Sequence, residues 1–571
     1  MDYSSKLRQS DLNMTLPAFL LKMFVPAVAV SVVVALFLGI FFSKELAIIP
    51  VVGPFIPLVI AIVIPAFILI IPIYNVSERS SKIDTKLHLF VTYLGALSTA
   101  TSKREELMRR AMEKKEYGTV AQETEKVTKI AITWRLGFGR ASKWVAKVTP
   151  SHIFSEFLER LSFAFESGED ISEFLQREQS IVIMEYEEKN KSALRALEEM
   201  KEILISLMTS LAFVGVFLLI LPMLAAMPGT TLFIILVVIF FVTEITMLVY
   251  LKSFMPGDRL VGLKAHTVSG DLLNFSLPIA IVVSIGLGVL IFVLGVGSSI
   301  QLPVKIAIVT TPMILPGFVA GRNENHIRKR TTMFPALIRS IGTSMSTRGT
   351  NLVSAVYGIQ HRDFGILNED VKKLYRRLKM VKNPDAPWEK FFEETGSDMI
   401  SKFGGIFLEA VRLGGSAQQA AQIVSDNMIR VSNMMERRKE ASASLRSTLY
   451  GVSFGVVFSL YAGMMIVKMM TGMFEDVSES VAQILPGFFE QSSNFNLSMG
   501  MLTMLILIHS LSSAFMIKIV DSGDYRNGLF HFVILMWMSV MILPVVENLM
   551  GGIDLTPPEI ASLLLAPVLG I

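Results

Sequence analysis

The chain of 571 residues contains no cysteine. Disulfides, thiolate zinc sites, cysteine-ligated iron–sulfur clusters and cysteine nucleophiles are therefore excluded. No glycine is followed by lysine, so there is no P-loop to cradle the phosphates of a nucleotide. The His-Glu-x-x-His motif is missing, and the 7 histidines never lie three or four residues apart, which leaves paired-histidine metal binding without a basis. Stretches that favour strands are few. One Gly-x-Ser-x-Gly match, Gly451-Val-Ser453-Phe-Gly455, falls at the start of an apolar run. A serine nucleophile needs a strand, a sharp turn and a helix at that place. The sequence thus points to no catalytic residue, no metal, no cofactor and no nucleic-acid partner.

What the chain does have is apolar length. Hydrophobic residues make up 52% and the mean hydropathy is +0.55, high for a soluble protein. Yet 18% of residues are charged, too many for a chain lying wholly in lipid, and they are concentrated in two blocks. A helix needs about 20 apolar residues to cross the hydrocarbon core. Nine runs qualify: Phe24–Phe42, Val51–Ile73, Ile203–Met223, Thr231–Leu251, Leu277–Leu294, Val304–Ala320, Tyr450–Met470, Met499–Ile519 and Phe530–Leu549. The second carries Pro54, Pro57, Pro65 and Pro72, which predicts kinks. The polar start Met1–Thr15 is followed by no small-residue cleavage site, so the first run reads as a retained span. The final Ile560–Ile571 is apolar but too short to span.

Lysine and arginine set the orientation. With a cytoplasmic N-terminus, both charged blocks, the linker Lys252–Asn274 and the turn around Lys518 and Arg526 fall inside. The loop Thr471–Ser498 carries Glu475, Asp476, Glu479 and Glu490 and no basic residue. The tail carries Asp554 and Glu559 and no basic residue either, which places the C-terminus outside; Lys44 is the clear exception. The expected fold class is all-α: a polytopic helical membrane protein with two repeated cytoplasmic helical bundles. The expected division is 1–73 (N-terminal segment and two spans), 74–202 (first bundle), 203–320 (four spans), 321–449 (second bundle) and 450–571 (three spans and outer tail).

The two blocks repeat each other. Phe90, Leu94, Leu97, Thr99, Ser102 and Arg104 match Phe334, Ile338, Ile341, Thr343, Ser346 and Arg348 at an offset of 244 (334 − 90), the offset that also relates Trp144 to Trp388. Ser151, Ser155, Phe157, Leu161 and Gly168 match Ser397, Ser401, Phe403, Phe407 and Gly414 at an offset of 246 (397 − 151). Ser151, after Pro150, suits a helix N-cap; Ile153, Phe154, Phe157, Leu158, Leu161 and Phe165 then share one face. Met399, Ile400, Phe403 and Phe407 do the same after Ser397. These stripes, both tryptophans included, predict bundle cores. Neither Glu169–Phe213 nor Ser416–Tyr450 contains glycine or proline, so each block is expected to end in a long helix rising into a span. Such a stalk transmits force better than a flexible linker.

Two features lie within or beside the spans. Gly451 with Gly455, and Gly317 with Gly321, have the spacing that lets helices approach closely, so they are expected packing sites. Glu244 sits within the fourth span, where an ionisable group is costly and often functional; it is expected to face the bundle or snorkel inward.

The segments Phe157-Leu-Glu-Arg-Leu161…Glu166-Ser-Gly168-Glu-Asp-Ile171 and Phe407-Leu-Glu-Ala-Val411-Arg412-Leu-Gly-Gly415-Ser resemble the helix–glycine turn–helix pattern of the type II secretion F domain family. The second copy departs from it, continuing Ser-Ala-Gln-Gln with a weaker apolar face. Nine spans, two of them ahead of the first block, resemble the archaellum platforms of that family more than the bacterial forms with about three. The resemblance implies a platform in an archaeal cell membrane that couples a cytoplasmic hexameric secretion-type ATPase to insertion of archaellin or pilin subunits and to rotation. It implies contact with membrane lipid and a homodimer. An adhesion-pilus or secretion platform is the alternative within the family, and a transporter the rival outside it.

The second block, Gly321–Leu449, has about eight more basic than acidic residues, whereas the first is balanced. Candidate ATPase-docking residues are Arg376 and Arg377, together with Arg328, Lys329 and Arg330 and with Arg437, Arg438 and Lys439. A basic face can steer and register an acidic partner.

Overall fold

The structure is a computed structural model. It describes residues 6–7, 9–10, 15–41, 56–101, 103–225, 229–262, 268–298, 300–349, 351–381, 383–473 and 495–551. Lys44, the acidic loop residues Glu475 to Glu490 and the tail with Asp554, Glu559 and Ile560–Ile571 lie outside these. The protein is all-α, as its sequence leads one to expect. Among the described residues the one strand-like feature is an antiparallel bridge between Val261 and Ser397.

In chain order the main helices are α1 (Val25–Phe41), α2 (Ile56–Ser98), α3 (Arg104–Glu113), α4 (Thr119–Thr133), α5 (Phe138–Ala146), α6 (His152–Ser167) and α7 (Ile171–Ala225). They continue as α8 (Gly229–Phe254), α9 (Val268–Gly288), α10 (Leu302–Thr310), α11 (Ile314–Arg348), α12 (Leu352–Ile359), α13 (Asn368–Met380) and α14 (Asp385–Thr395). The last are α15 (Asp398–Arg412), α16 (Ala417–Met473), α17 (Phe495–Asp521) and α18 (Gly528–Gly551). Among the described residues eight helices are long and apolar enough to cross a membrane, and they overlap the runs expected from sequence except Val51–Ile73, the first starting earlier, at Leu16. That run falls on α2, whose Pro65 and Pro72 lie inside the helix, and residues 51–55 lie outside the described ones.

The described residues form two compact units. The first comprises Met1–Lys189, Met333–Lys382 and Ile400–Arg430, so it draws on both charged blocks. Its helices form where the sequence supplies caps and stripes. Ser151 caps α6 by accepting the Phe154 amide, and Phe154, Phe157, Leu158 and Leu161 are buried beneath it. Gly168 ends α6 in the left-handed region at φ +76°, and Gly414 does the same after α15 at φ +85°. In each copy a glycine therefore makes the turn that the repeat pattern requires. The two copies are pinned together by buried polar contacts. Asn427 on α16 donates to Thr92 Oγ1 at 2.9 Å and to Gln179 Oε1 at 2.9 Å. Tyr93 donates to Glu409 at 3.1 Å, and burial, followed by that carboxylate, pushes the Tyr93 hydroxyl well above the usual phenol range. Lys114 also pairs with Glu409.

Not every expected core residue is inside. Phe334, Ile338 and Ile341 are buried, as are Phe90, Leu94 and Leu97. Trp144, however, is 47% exposed and meets Trp134 edge-on with ring centroids 6.3 Å apart, whereas Trp388 is 1% exposed. The short α5 buries Ala141, Ser142 and Val145 instead and turns Trp144 outward.

The second unit comprises Asn190–Thr332, Asn383–Met399 and Val431–Ile571. Its core is a single cluster on α7, α8, α16, α17 and α18, rich in methionine: Met200, Met208, Met247, Met464, Met516 and Met536 are all in it. Unbranched methionine fills irregular gaps between helices. The outer faces stay apolar. On α8, Val238, Val242 and Val249 are each more than half exposed, and on α9 so are Ile279, Val282 and Ile285. Exposed aliphatic faces of this extent belong against lipid.

Candidate functional site in the basic faces and the buried polar chain

Helix α13 follows a turn in which Asn368 accepts the Phe364 amide at 2.7 Å and Asp363 accepts the Gly365 amide at 2.8 Å. Val371, Leu374 and Leu378 are buried along one stripe. The opposite face presents Lys372, Lys373, Arg376 and Lys379 as exposed cations, with Arg377 half-buried between the faces. Lys372 bonds Glu369 at 2.9 Å and, as the largest cause, holds that carboxyl below its usual range, with Arg376 and Lys373 adding to it. Tyr357 and Met380, 54% and 80% exposed, are also on this unit's surface.

The clusters beside the spans divide. Lys329, Arg437 and Lys439 are exposed, and Lys439 pairs with Glu436 at 3.4 Å. Arg330 is half-buried and donates to the carbonyls of Glu394 and Thr395 at 3.4 and 3.5 Å. Arg328 and Arg438 correct the sequence expectation, because both are buried inside the unit. Arg328 donates to Asp521 Oδ1 at 2.7 Å and to the Asp521 carbonyl at 3.0 Å. Arg438 donates to the Val520 carbonyl at 3.2 Å and lies 3.8 Å from Asp258. Both guanidiniums hold the end of α17, where Lys518 joins Asp521 at 2.8 Å and Glu324 at 3.0 Å. Positional charge alone did not separate an inward arginine from an outward one.

Glu244 faces the bundle; it is 0% exposed. Its Oε1 lies 2.5 Å from His509 Nδ1, and His509 Nε2 lies 2.7 Å from Ser453 Oγ. The edge of Phe240 closes on the imidazole with centroids 5.8 Å apart. Helices α8, α17 and α16 thus meet through a buried polar chain that the sequence reading of Glu244 did not foresee. The signal was there: His509 is an ionisable residue inside the span Met499–Ile519, but its partner is 265 residues away in sequence. The chain has the order of a hydrolytic triad but not its setting. Ser453 is buried mid-helix on α16 rather than exposed on a strand–helix elbow. A buried histidine on α17, bonded to a glutamate on α8 and a serine on α16, instead fixes how three spans pack.

The glycine pairs divide as well. A Cβ on Gly317 would come within 2.9 Å of Phe530 Cα, and one on Gly321 within 2.9 Å of Asn527 Oδ1, so α11 and the start of α18 approach closely there. A Cβ on Gly451 or Gly455 would meet nothing within 4 Å. That pair lies on the exposed face of α16, and among the described residues it packs no helix; Ser453 between the two glycines makes the contact instead.

Comparison with known proteins bears on the whole chain. It is 30% identical over 534 residues to Flagella accessory protein J of Methanocaldococcus jannaschii, spanning 92% of this chain and 93% of that one. The chain belongs to the flagella accessory protein J family. Flagella accessory protein J of Methanococcus voltae is 27% identical over 489 residues, 83% of this chain and 87% of its own. Residues 90–219 match the family model of type II secretion system (T2SS), protein F. That match covers the first repeat from α2 through α6 and on into the apolar part of α7. No solved structure matches. With its relatives and the eight apolar helices among its described residues, this flagella accessory protein J homologue is a multi-pass membrane protein.

Proposed function

We propose that the chain is the membrane platform of an archaellum, and that it couples a cytoplasmic hexameric ATPase to filament-subunit insertion and to rotation. The observation that carries the reading is the pair of unbroken helices α7 and α16, of 55 and 57 residues. At 1.5 Å per residue each is about 80 Å long. Each starts in a charged segment and ends in an apolar span with no break in the helix between, the continuity that coupling to a span requires. The near full-length likeness to flagella accessory proteins supports the archaellum. The type II secretion match favours one second reading, an adhesion-pilus or secretion platform built the same way. In both, the N-terminus and the two charged blocks are cytoplasmic and the C-terminus is outside, and the platform works as a homodimer.

Within this reading the ATPase docks on α13. Its basic face is solvent-exposed, unlike Arg328 and Arg438, and suits an acidic ATPase surface. The test is binding of the cognate ATPase to the full chain in detergent. Arg376→Glu with Arg377→Glu should weaken it, more at low than at high salt, because exposed charges are screened as salt rises. Equal binding at low salt by a folded variant would remove α13 from the interface. Loss of swimming with surface adhesion intact, on deletion of the gene, would separate archaellum from pilus.

A further inference from the structure

A cavity of 280 Å³ opens in the second unit where α11, α16 and α17 change from apolar to charged, beside the start of α18. About 10–15 Å³ of such space holds one water, so the cavity has room for a tetrahedral phosphate. Four cations line it, Arg328, Lys439, Arg446 and Lys518, against two carboxylates, Glu324 and Asp521. The carboxylates are already engaged inside the unit. Lys518 bridges both, Arg328 holds Asp521, and Asn527 donates to Glu324 at 2.9 Å. The lining carries two more cations than carboxylates, Lys439 and Arg446 on the α16 side, of which Lys439 also pairs with Glu436 at 3.4 Å. There Lys439 and Arg446 lie seven residues apart on one helical face, with Ser442 and Ala443 between them. Among the described residues Arg446 has no carboxylate at ion-pairing distance, and its side chain is exposed.

Below the cavity the surface is apolar. Gly321 is part of the wall, and one and two turns back along α11 Phe318 and Leu315 are 57% and 63% exposed. Phe318 lies beside Phe530 with centroids 6.5 Å apart. The level is that of the lipid headgroups, since α16 turns apolar just after Leu449 and α17 turns charged at Lys518. A positive, roomy pocket above an exposed aliphatic and aromatic strip has the two-part chemistry of a phosphate carried on an acyl chain.

We propose that this cavity binds the phosphate headgroup of an anionic membrane lipid, with Arg446 and Lys439 on the phosphate and Phe318 and Leu315 along the chain. Arginine matches phosphate through two parallel donors, which makes Arg446 the stronger contact. The site differs from the docking face on α13 and is independent of which filament the platform serves.

The test uses the full chain in nanodiscs and native mass spectrometry after release into mild detergent. Wild type should retain phosphatidylglycerol at one per chain and prefer it over phosphatidylcholine. Arg446→Gln with Lys439→Gln should lower retention by about tenfold or more, the loss expected for charge-assisted bonds. Arg446→Lys should keep part of it, and Arg430→Gln, exposed elsewhere on α16, should change nothing. Thermal melting of each variant guards against a folding loss, and Phe318→Gln on the acyl strip gives a second variant that leaves the charges in place. Equal retention by the double variant, or equal binding of phosphatidylcholine, would overturn the proposal. So would displacement of the lipid by millimolar inorganic phosphate that itself binds in an Arg446-dependent way, since the ligand would then be a soluble phosphate.

Discussion

An alanine methyl at residue 317 would press on the backbone of Phe530, while one at residue 451 would meet open space. Gly317→Ala should therefore destabilise the protein by about 1–3 kcal/mol through overpacking. Gly451→Ala should be neutral or stabilising by up to about 1 kcal/mol through helix propensity. Denaturation in detergent distinguishes the two, and equal losses would remove the close approach of α11 and α18. The buried chain gives a sharper case. Glu244→Ala and His509→Ala should each cost about 1–3 kcal/mol, because each leaves a buried polar partner unpaired. The double variant should cost less than their sum, with a coupling of about 0.5–3 kcal/mol. Strict additivity would show that the two side chains do not meet. Ser453→Ala removes one neutral bond at the end of the chain and should cost about 0.5–1.5 kcal/mol.

At the scale of elements, helix propensity, caps and breakers were legible in the sequence. The Ser151 cap, the glycine turns at Gly168 and Gly414, and the uninterrupted α7 and α16 all follow from local rules, which act within a few residues. What the sequence did not reveal lies in contacts between distant segments. His509 looked like an isolated histidine because its glutamate belongs to another helix. Arg328 and Arg438 looked like surface charges because Asp521, Asp258 and the carbonyl of Val520 are far away in the chain. Trp144 looked like its counterpart Trp388, yet α5 turns it outward. The long helices carry their own prediction. Glu199 is exposed on α7, so Glu199→Pro should leave the surrounding side-chain packing largely intact while removing a helical hydrogen bond and kinking the rod, at about 3 kcal/mol or more. The variant is expected to insert at normal levels but to fail in filament assembly. Normal filaments from a protein shown to be kinked would mean that α7 does not carry the motion.

For the molecule as a whole, the basic residues imply one topology, and reporter fusions can check it. Fusions after Arg110 and Arg377 should both report cytoplasm, and fusions at Glu479 and Asp554 should both report the outside. A cytoplasmic signal at Glu479 would break the scheme. The contacts inside the first unit also set a timetable for synthesis. Thr92 and its partner Asn427 are 335 residues apart. At about 5–20 residues per second the ribosome needs roughly 15–70 s to deliver the second after the first. During that interval the early helices α2 and α7 have been made, but Thr92 and Gln179 still lack the amide that joins them. The first repeat therefore waits, half-assembled and partly apolar, beside a membrane that is still receiving spans. A chain organised in this way leaves its first repeat without this joining amide until residue 427 of 571, about three quarters of the chain, has been translated.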